Sequence, residues 1–388
     1  MIQQELLVEG WRGISHSYCL VNQFQLLALQ EQSAVRLSFT DKPFVIQQWS
    51  RERNYAGLRA QHQAAIDHIP GPVKPHARYR IYGPVNFQSE LKAPALTFVV
   101  TELGRSFRVD ESGSLQAYVD AGGKIHTPSR WSAARLTEAG VPEAALCVIP
   151  HGAHPDYFYP LSTDECIQLR RNLGFQDDDV ILVNVGTPTF TKGFDLLIKA
   201  FVDARRINPR LKLLIKDQRG TYFQQAQNVV GQHLKELNAI DEETLGSIKV
   251  IGVQLSLTLL NQFYNAADCY VTPYRAEGFN LPALEALSAG TPLIATRGGA
   301  TDDFLSDNDT IFLPGKFQID HQLRPNERDS IYIEPDLDAL IQAMVECRRK
   351  EPNLMSTASS IAPVRRPNWH DAAQAILCQL GVSRPIQA

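Results

Sequence analysis

The sequence predicts an α/β protein built from two Rossmann-like domains, and three observations support this. The 388 residues exceed one ordinary core, and a typical domain length of about 150 residues gives two domains. Hydrophobic residues make up 44% and charged residues 21% of the chain, which is typical of a folded globular protein. From residue 180 onward, short β-branched runs alternate with helical patterns, which predicts a parallel sheet with helices on both faces.

The second half of the chain has the regular alternation. Predicted strands cover residues 180–185, 211–216, 248–253, 269–273 and 292–296, and predicted helices cover residues 194–207, 257–267 and 281–289. Because ligands of such sheets bind at the carboxyl ends of the strands, we expect functional residues directly after the strands.

The first half is less regular but supports a second sheet of the same kind. Predicted buried strands cover residues 5–8, 96–101, 124–127 and 146–149, and a helix is predicted near residues 20–29. Between the halves, residues 151–160 are rich in turn formers, and a helix start follows at Ser162 and Glu165. We therefore expect the domain boundary near residues 155–162.

Composition argues against several classes of protein. The longest apolar stretches, such as residues 95–100, are far shorter than the roughly 18 residues of a membrane helix, and residues 1–5 show no signal-peptide pattern. The net charge of −4 is spread along the chain without a basic stripe, so no nucleic-acid partner is expected. Six scattered cysteines predict reduced thiols. The expected location is the cytoplasm, with no transmembrane segment, and peripheral contact with a membrane stays open.

The most informative segment is residues 277–290, Glu-Gly-Phe-Asn-Leu-Pro-Ala-Leu-Glu-Ala-Leu-Ser-Ala-Gly, which follows a predicted strand and opens a helix. Asn280 can cap this helix and Gly290 can end it. Apolar neighbours on all sides predict that Glu285 is buried, and a buried carboxylate needs donors or a polar ligand. The helix N-terminus offers N–H groups and a positive dipole end, which favours an anion such as a diphosphate.

An arbitrary pair of glutamates is more often a loop charge and a capped core residue, but the surrounding sequence favours a site. The Glu-x7-Glu pattern from Glu277 to Glu285 closely resembles the signature of the retaining GT-B glycosyltransferases, family four of the sequence classification. Residues 148–160, 185–201 and 267–274 resemble further stretches of that family in the same order. Together these stretches cover the second domain almost continuously, whereas two looser matches, at residues 9–16 and 124–131, cover the first domain in patches.

The resemblance implies a GT-B fold, in which the parallel sheets of two Rossmann-like domains face a central cleft. It implies an acceptor-side domain over residues 1–157, a donor-binding domain over residues 158–365, and a C-terminal helix in residues 366–388 that crosses back to the first domain.

The resemblance also implies roles for individual residues. Lys192 is expected to contact the donor diphosphate, Glu285 the ribose hydroxyls, and Glu277 the transferred sugar near the reacting carbon. Without the motif, an equally good interpretation is that Lys192 is a solvated lysine in a turn. The remaining expected donor contacts are made by residues near the base and around the start of the helix: Gly252, Val253, Gly278, Phe279, Asn280 and Leu281.

One position departs from the family pattern. Thr187 stands where the family usually has arginine, which removes an expected cation from the diphosphate site. Lys216, at the end of a predicted strand, could supply that charge or could be a plain surface lysine.

In the first domain, Gly13 and His16 follow a predicted strand and could approach the donor from the other side of the cleft. An equally good interpretation is that this segment is a flexible turn in which His16 is exposed. Glu102, at the end of a predicted strand, either hydrogen-bonds the acceptor or is a loop carboxylate.

The predicted function is transfer of a hexose-type sugar, with retention of configuration, from a nucleotide-diphosphate sugar to a glycan, lipid or small-molecule acceptor. Polysaccharide biosynthesis is the expected setting. No cofactor and no metal are expected, although residues 177–179 and 307–309 contain acidic runs that could suggest one. The alternatives are a non-catalytic nucleotide-sugar-binding protein and a sugar-nucleotide epimerase or phosphorylase on the same fold. The pyridoxal-phosphate motif of a phosphorylase is not found.

Overall fold

The computed structural model describes residues 4–52, 56–72, 74–85, 87–88, 93–104, 114–217, 225–320, 330–349 and 366–382. The chain divides into two compact units. The first unit contains the described residues up to His154 and those from Pro367 onward, and the second unit contains the described residues from Pro155 to Arg366.

The first unit is built on a six-stranded parallel sheet with the order β2-β1-β3-β4-β5-β6. Its strands are β1 (Gln4–Gly10), β2 (Val35–Asp41), β3 (Ala77–Ile81), β4 (Ala95–Phe98), β5 (Lys124–Thr127) and β6 (Leu146–Val148). Its helices up to this point are α1 (Ser17–Gln30), α2 (Ala60–Asp67), α3 (Leu115–Asp120) and α4 (Arg130–Glu138), with a short 3-10 turn at Glu143–Ala145. The predicted second Rossmann-like sheet is confirmed, although β2 and β3 were not predicted and β4 ends three residues earlier than expected.

The second unit contains another six-stranded parallel sheet, with the order β12-β11-β10-β7-β8-β9, and a two-stranded antiparallel hairpin. Its strands are β7 (Val180–Val185), β8 (Leu211–Lys216), β9 (Ile248–Ile251), β10 (Cys269–Thr272), β11 (Leu293–Thr296) and β12 (Thr310–Leu313), and the hairpin is β13 (Gly315–Asp320) with β14 (Ser330–Pro335). Its helices are α5 (Thr163–Asn172), α6 (Phe194–Ile207), α7 (Ala226–Glu236), α8 (Glu242–Ser247), α9 (Leu257–Ala266), α10 (Leu281–Ser288) and α11 (Leu337–Glu346), with a 3-10 turn at Ala300–Asp303.

Local sequence explains why these elements begin where they do. Ser162 and Glu165 form a reciprocal capping box at the start of α5, in which each side chain satisfies a backbone N–H of the other residue. Helix α6 buries one apolar stripe, including Leu197 and Phe201, against the sheet and α11. The buried strands β7 and β8 are continuous apolar runs, as expected for a parallel sheet covered on both faces.

The last described helix, α12 (Trp369–Gln379), belongs to the first unit. It packs against α1, where the Trp369 ring stacks on Phe24 at 5.5 Å between centroids. Its far end is held by Lys124, whose Nζ donates to the backbone and side-chain oxygens of Gln379. Among the described helices, none is long and apolar enough to cross a membrane.

Candidate functional site

The strand order of the second unit defines where a ligand site is expected. The order reverses between β7 and β10, because β8 and β9 lie on one side of β7 while β10, β11 and β12 lie on the other. In doubly wound sheets, ligands bind at the carboxyl ends of the strands beside such a reversal. Lys192 follows β7 and Glu277 follows β10, so both lie at the reversal point.

Close backbone contacts hold these two loops against each other. The carbonyl oxygen of Thr191 accepts hydrogen bonds from the N–H groups of Arg275 (2.7 Å) and Ala276 (3.1 Å). Gly193 has a left-handed φ of 64°, and a Cβ added there would lie 1.9 Å from the carbonyl oxygen of Pro273. Only glycine therefore allows the start of α6 to approach the loop after β10 this closely.

The approach of the two loops brings Lys192 and Glu277 into an ion pair. Lys192 Nζ lies 2.7 Å from Glu277 Oε2, and the side chains are 28% and 10% exposed. The predicted phosphate-binding lysine and the predicted sugar-binding glutamate thus lie side by side. Both charges are partly exposed to solvent, so a ligand can reach them.

Arg275 was not anticipated from the sequence, yet it organises this region. Its buried guanidinium binds Asp195 in the first turn of α6 and Glu334 on β14, and both contacts use two of its nitrogens. Burial would raise the pKa of Asp195, but the hydrogen bonds and charge of Arg275 outweigh this and hold that pKa below its ordinary value. The sequence shows an arginine two residues before Glu277. It could not indicate the partners of this arginine, Asp195 and Glu334, because they are far away in the sequence.

Glu285 is buried, as predicted, on the second turn of α10. It is 7% exposed, and its Oε2 accepts a hydrogen bond of 2.8 Å from the hydroxyl of Tyr264. Burial raises the pKa of Glu285 from 4.5 to about 7, and the Tyr264 hydrogen bond opposes this only in part. Tyr264 is the one donor to this carboxylate among the described residues, so the second oxygen remains available to a ligand.

The start of α10 is capped as predicted. Asn280, in a left-handed conformation with φ of 72°, accepts a hydrogen bond from the N–H of Ala283 and donates to Thr272 on β10. Pro282 has no N–H, and among the described residues no acceptor bonds the N–H of Leu281, so this N–H can donate to a ligand. Gly278 and Phe279 precede this turn, and the Phe279 ring stacks on Phe304 at 4.9 Å. Contacts of a donor with Gly278, Phe279, Asn280 and Leu281 stay predictions.

Lys216 ends β8 directly beside the turn that contains Thr187. It pairs with Val185 in the sheet register, and its carbonyl oxygen accepts the N–H of Gly186 at 3.1 Å. The side chain is buried, with the residue 5% exposed, and its Nζ donates to the carbonyl oxygen of Asp217. Burial lowers the pKa of Lys216 to about 8, although the Asp217 charge acts in the opposite direction. Lys216 is therefore not a plain surface lysine.

The residues expected near the base lie at the next strand end. Gly252 and Val253 follow β9, and Val253 is 60% exposed. With Asp217 and Gln225 they line a small cavity of about 250 Å³. This cavity lies on the β8 and β9 side of Lys216, at the same sheet edge.

The predicted residues of the first domain lie in the first unit. Gly13 has a left-handed φ of 92°, and a Cβ there would meet the Arg51 side chain at 2.7 Å. His16 is the N-cap of α1, where its Nδ1 accepts the N–H of Tyr18, and burial lowers the pKa of His16 to about 4. Glu102 lies in a turn beyond β4 rather than at a strand end, and its carbonyl oxygen accepts the indole N–H of Trp131. Roles for these three residues stay predictions.

The acidic runs that could suggest a metal lie elsewhere or are engaged. Asp177 binds Arg171, and Asp179 accepts the N–H of Gln176 before the amino end of β7. Asp307 pairs with Arg297. The run at residues 177–179 is thus at the opposite end of β7 from Lys192.

Two solved structures resemble this fold over nearly the whole chain. Anabaena HepE, in a crystal structure with UDP-glucose, is 15% identical with a TM-score of 0.64, covering 98% of this chain and 100% of that one. WaaG, described as a glycosyltransferase involved in lipopolysaccharide biosynthesis, is 14% identical with a TM-score of 0.56, covering 95% and 94%. The fold is therefore that of the GT-B glycosyltransferases.

Sequence comparison matches part of the second unit to a known family. The family model of the group 1 glycosyl transferases matches residues 167–322. Residues 167–322 are therefore similar to the group 1 glycosyl transferases, and the resemblance of the chain to GT-B glycosyltransferases is confirmed.

Individual relatives match parts of the chain. The lipopolysaccharide 1,2-N-acetylglucosaminetransferase of Salmonella typhimurium is 25% identical over 256 residues, which is 66% of this chain and 61% of that protein. The D-inositol 3-phosphate glycosyltransferase of Corynebacterium jeikeium is 31% identical over 158 residues, 40% of this chain and 36% of that protein. The chain thus spans less than two thirds of the length of these curated relatives.

Proposed function

We propose that this protein is a retaining glycosyltransferase that moves a hexose-type sugar from a nucleotide-diphosphate sugar to an acceptor. The observation that carries the proposal is the ion pair of Lys192 and Glu277, 2.7 Å apart at the strand-order reversal and four residues before a helix that buries Glu285. A cation, a sugar-facing carboxylate and a buried carboxylate are the groups needed for the three parts of the donor.

The ion pair also supports an order of events during donor binding. A diphosphate carries more negative charge than one carboxylate and competes with Glu277 for Lys192. Binding of the donor would then release the Glu277 carboxylate, which becomes free to accept hydrogen bonds from hydroxyl groups of the sugar. The N–H of Leu281 and the dipole of α10 would stabilise the same diphosphate.

Catalysis would depend on the orientation of the two substrates and on stabilisation of the charge on the leaving diphosphate. The leaving diphosphate gains negative charge as the glycosidic bond breaks, and Lys192 with Lys216 would stabilise that charge. The acceptor attacks from the face that the diphosphate leaves, so configuration is retained without a protein nucleophile. With two lysines and a helix N-terminus at the diphosphate, we propose that no metal and no cofactor are required.

The acceptor has to be found by experiment. The names of the relatives include a lipopolysaccharide transferase, a mannosylfructose-phosphate synthase and inositol phosphate glycosyltransferases, so their acceptors differ widely. A glycan, a lipid at a membrane surface or a small molecule is compatible with the site. Polysaccharide biosynthesis in the cytoplasm is the setting that we propose.

A panel of nucleotide sugars tests the proposal. UDP-glucose is the first donor to try, because HepE was crystallised with it, and GDP-mannose is the second, because the name of a Mycolicibacterium smegmatis relative specifies it. We expect calorimetric binding of one donor, with slow hydrolysis or transfer that Glu277→Ala lowers by about 100-fold or more. Binding without any turnover would instead identify a non-catalytic nucleotide-sugar-binding protein.

A further inference from the structure

The second unit contains a larger cavity at the edge of its sheet that faces away from Lys192 and Glu277. Its volume is about 700 Å³, within the usual range for small-molecule sites of about 300–1,000 Å³. Val180, Arg210 and Asp268, which line it, stand at the amino ends of β7, β8 and β10. The six residues of β7 span about 20 Å, so the two sites are well separated.

The lining of this cavity is rich in arginine. Four arginines and two aspartates contribute to it: Arg170, Arg210, Arg348, Arg349, Asp178 and Asp268. Buried Arg170 is neutralised by Asp268, which its Nη1 contacts at 2.9 Å through both carboxylate oxygens. Within the described part of the chain, Arg210 and Arg348 have no carboxylate partner, whereas the charge of Arg349 acts on the nearby Asp177 carboxylate and helps to lower its pKa. The cavity therefore keeps an excess of positive charge.

Backbone carbonyl groups orient two of these arginines without neutralising them. Arg348 donates to the carbonyl oxygens of Val345 and Cys347 at the end of α11, and Arg349 donates to that of Asp177. Capping of α11 accounts for Arg348 in structural terms, since cations stabilise helix C-termini. It does not account for Arg210, which approaches the same cavity from the loop before β8.

We propose that this cavity binds a phosphorylated small molecule. Planar guanidinium groups match phosphate oxygens in pairs, and Arg210 and Arg348, which line the cavity from two different elements and have no carboxylate partner among the described residues, would bind one anionic group. Leu161, Ile167 and Val180 supply an apolar wall for the rest of the ligand. The proposal is independent of the glycosyltransferase activity, because none of these residues belongs to the donor site.

Isothermal calorimetry on the full chain tests this proposal with three probes: inorganic phosphate, glucose 6-phosphate and AMP. Glucose serves as the uncharged control. We expect saturable binding of at least one phosphate probe, and about tenfold weaker binding in Arg210→Ala and in Arg348→Ala. Arg206→Ala removes an exposed cation from α6 outside the cavity and should bind as the parent does.

The outcomes separate this site from the donor site. Lys216→Ala should leave binding of glucose 6-phosphate unchanged, because Lys216 does not line the cavity. Circular dichroism melts verify that Arg210→Ala and Arg348→Ala are folded. Absence of saturable binding in the parent, an equal loss in Arg206→Ala, or a loss confined to Lys216→Ala would each overturn the proposal.

Discussion

The carboxyl edges of the two sheets differ in chemistry although both sheets are six-stranded and parallel. In the second unit, the edge beside the strand-order reversal presents Lys192, Lys216 and Glu277. In the first unit, the order reverses between β1 and β3, and the residues after β1 and β2 form a cluster of packed rings: Trp11, His16, Phe44 and Trp49. The same topology therefore presents the ion pair of Lys192 and Glu277 in one unit, and a packed aromatic cluster beside the ion pairs of Asp41 in the other.

The difference also lies in how the loops are fixed. At the edge of the second unit, Gly193 and the carbonyl oxygen of Thr191 hold the loops by backbone contacts, which leaves side chains available for a ligand. At the edge of the first unit, side chains hold the loops themselves, as when the indole N–H of Trp11 donates to the carbonyl oxygen of Pro43. We therefore expect the contacts with the diphosphate in the second unit, while the donor contacts of Gly13 and His16 stay predictions.

The largest expected effect comes from Glu277. We expect Glu277→Ala to lower turnover by about 100-fold or more, as loss of a group that acts in the transition state typically does. Glu285→Ala should instead weaken nucleotide affinity by about tenfold to hundredfold. Turnover rates and calorimetric nucleotide affinities of both variants test these two roles. Glu243→Ala, on the exposed side of α8, serves as a control. Equal loss of nucleotide binding in both variants would show that the assigned roles are wrong.

The next largest expected effect is a loss of stability when the backbone contact at Gly193 is disturbed. Gly193→Ala places a Cβ against the carbonyl oxygen of Pro273 at a left-handed φ, so we expect it to lower the free energy of unfolding by about 3 kcal/mol or more. Gly231→Ala, in the exposed interior of α7 with open space around it, should raise that free energy by about 0.5–1 kcal/mol. Urea unfolding measures both. Similar midpoints for the two variants would contradict the close approach of the loops.

Lys216 tests whether a second cation replaces the arginine missing at Thr187. Lys216→Ala should weaken nucleoside diphosphate binding by about tenfold to hundredfold, with less effect on the free nucleoside, and Thr187→Arg should partly restore it. Since the pKa of Lys216 is lowered to about 8, affinity in the parent should fall as the pH rises through that value. Calorimetry from pH 7 to about 9 detects this fall. A parent-like affinity in Lys216→Ala would leave Lys192 and the helix dipole as the whole diphosphate site.

The smallest expected effect concerns His16 in the first unit. His16→Ala removes the N-cap of α1 and should cost about 1 kcal/mol of stability without changing nucleotide affinity. Because the pKa of His16 falls from 6.5 to about 4 on folding, its contribution is complete above pH 6.5 and lost as the pH falls toward 4. His16→Asn replaces the capping Nδ1 with a side-chain oxygen and should lose this pH dependence in thermal melts. Loss of donor binding in His16→Ala would contradict the contrast between the two edges.

The sequence predicted the elements whose stability comes from apolar runs, and it missed those that depend on ion pairs. Strands β7 and β8 and helix α6 were predicted with their observed bounds. Strands β2 and β3 were missed because Arg36, Arg78 and Arg80 interrupt their apolar pattern. Across the sheet, Arg36 pairs with Glu5, and Arg78 and Arg80 pair with Glu9 on β1.

Within the candidate site, features that depend on neighbouring residues in the sequence could be predicted. Contacts between residues that are far apart in the sequence could not. Glu285 was expected to be buried because its neighbours on α10 are apolar. The bonds from Arg275 to Asp195 and Glu334 join residues 80 and 59 positions apart, which no local pattern could indicate. The position of Lys216 beside Thr187 likewise depends on the register of β7 and β8.

The place of α12 affects the order in which the chain can mature on the ribosome. This helix buries Trp369, Ile376 and Leu377 in the first unit, although about two hundred residues of the second unit are synthesised before it. Until α12 emerges, α1 lacks the partner that covers Phe24, and the first unit has an incomplete core. Domains generally fold as they leave the ribosome, N-terminal first. Here the second unit can complete its core earlier, so the first part of the chain to be made is the last to become stable.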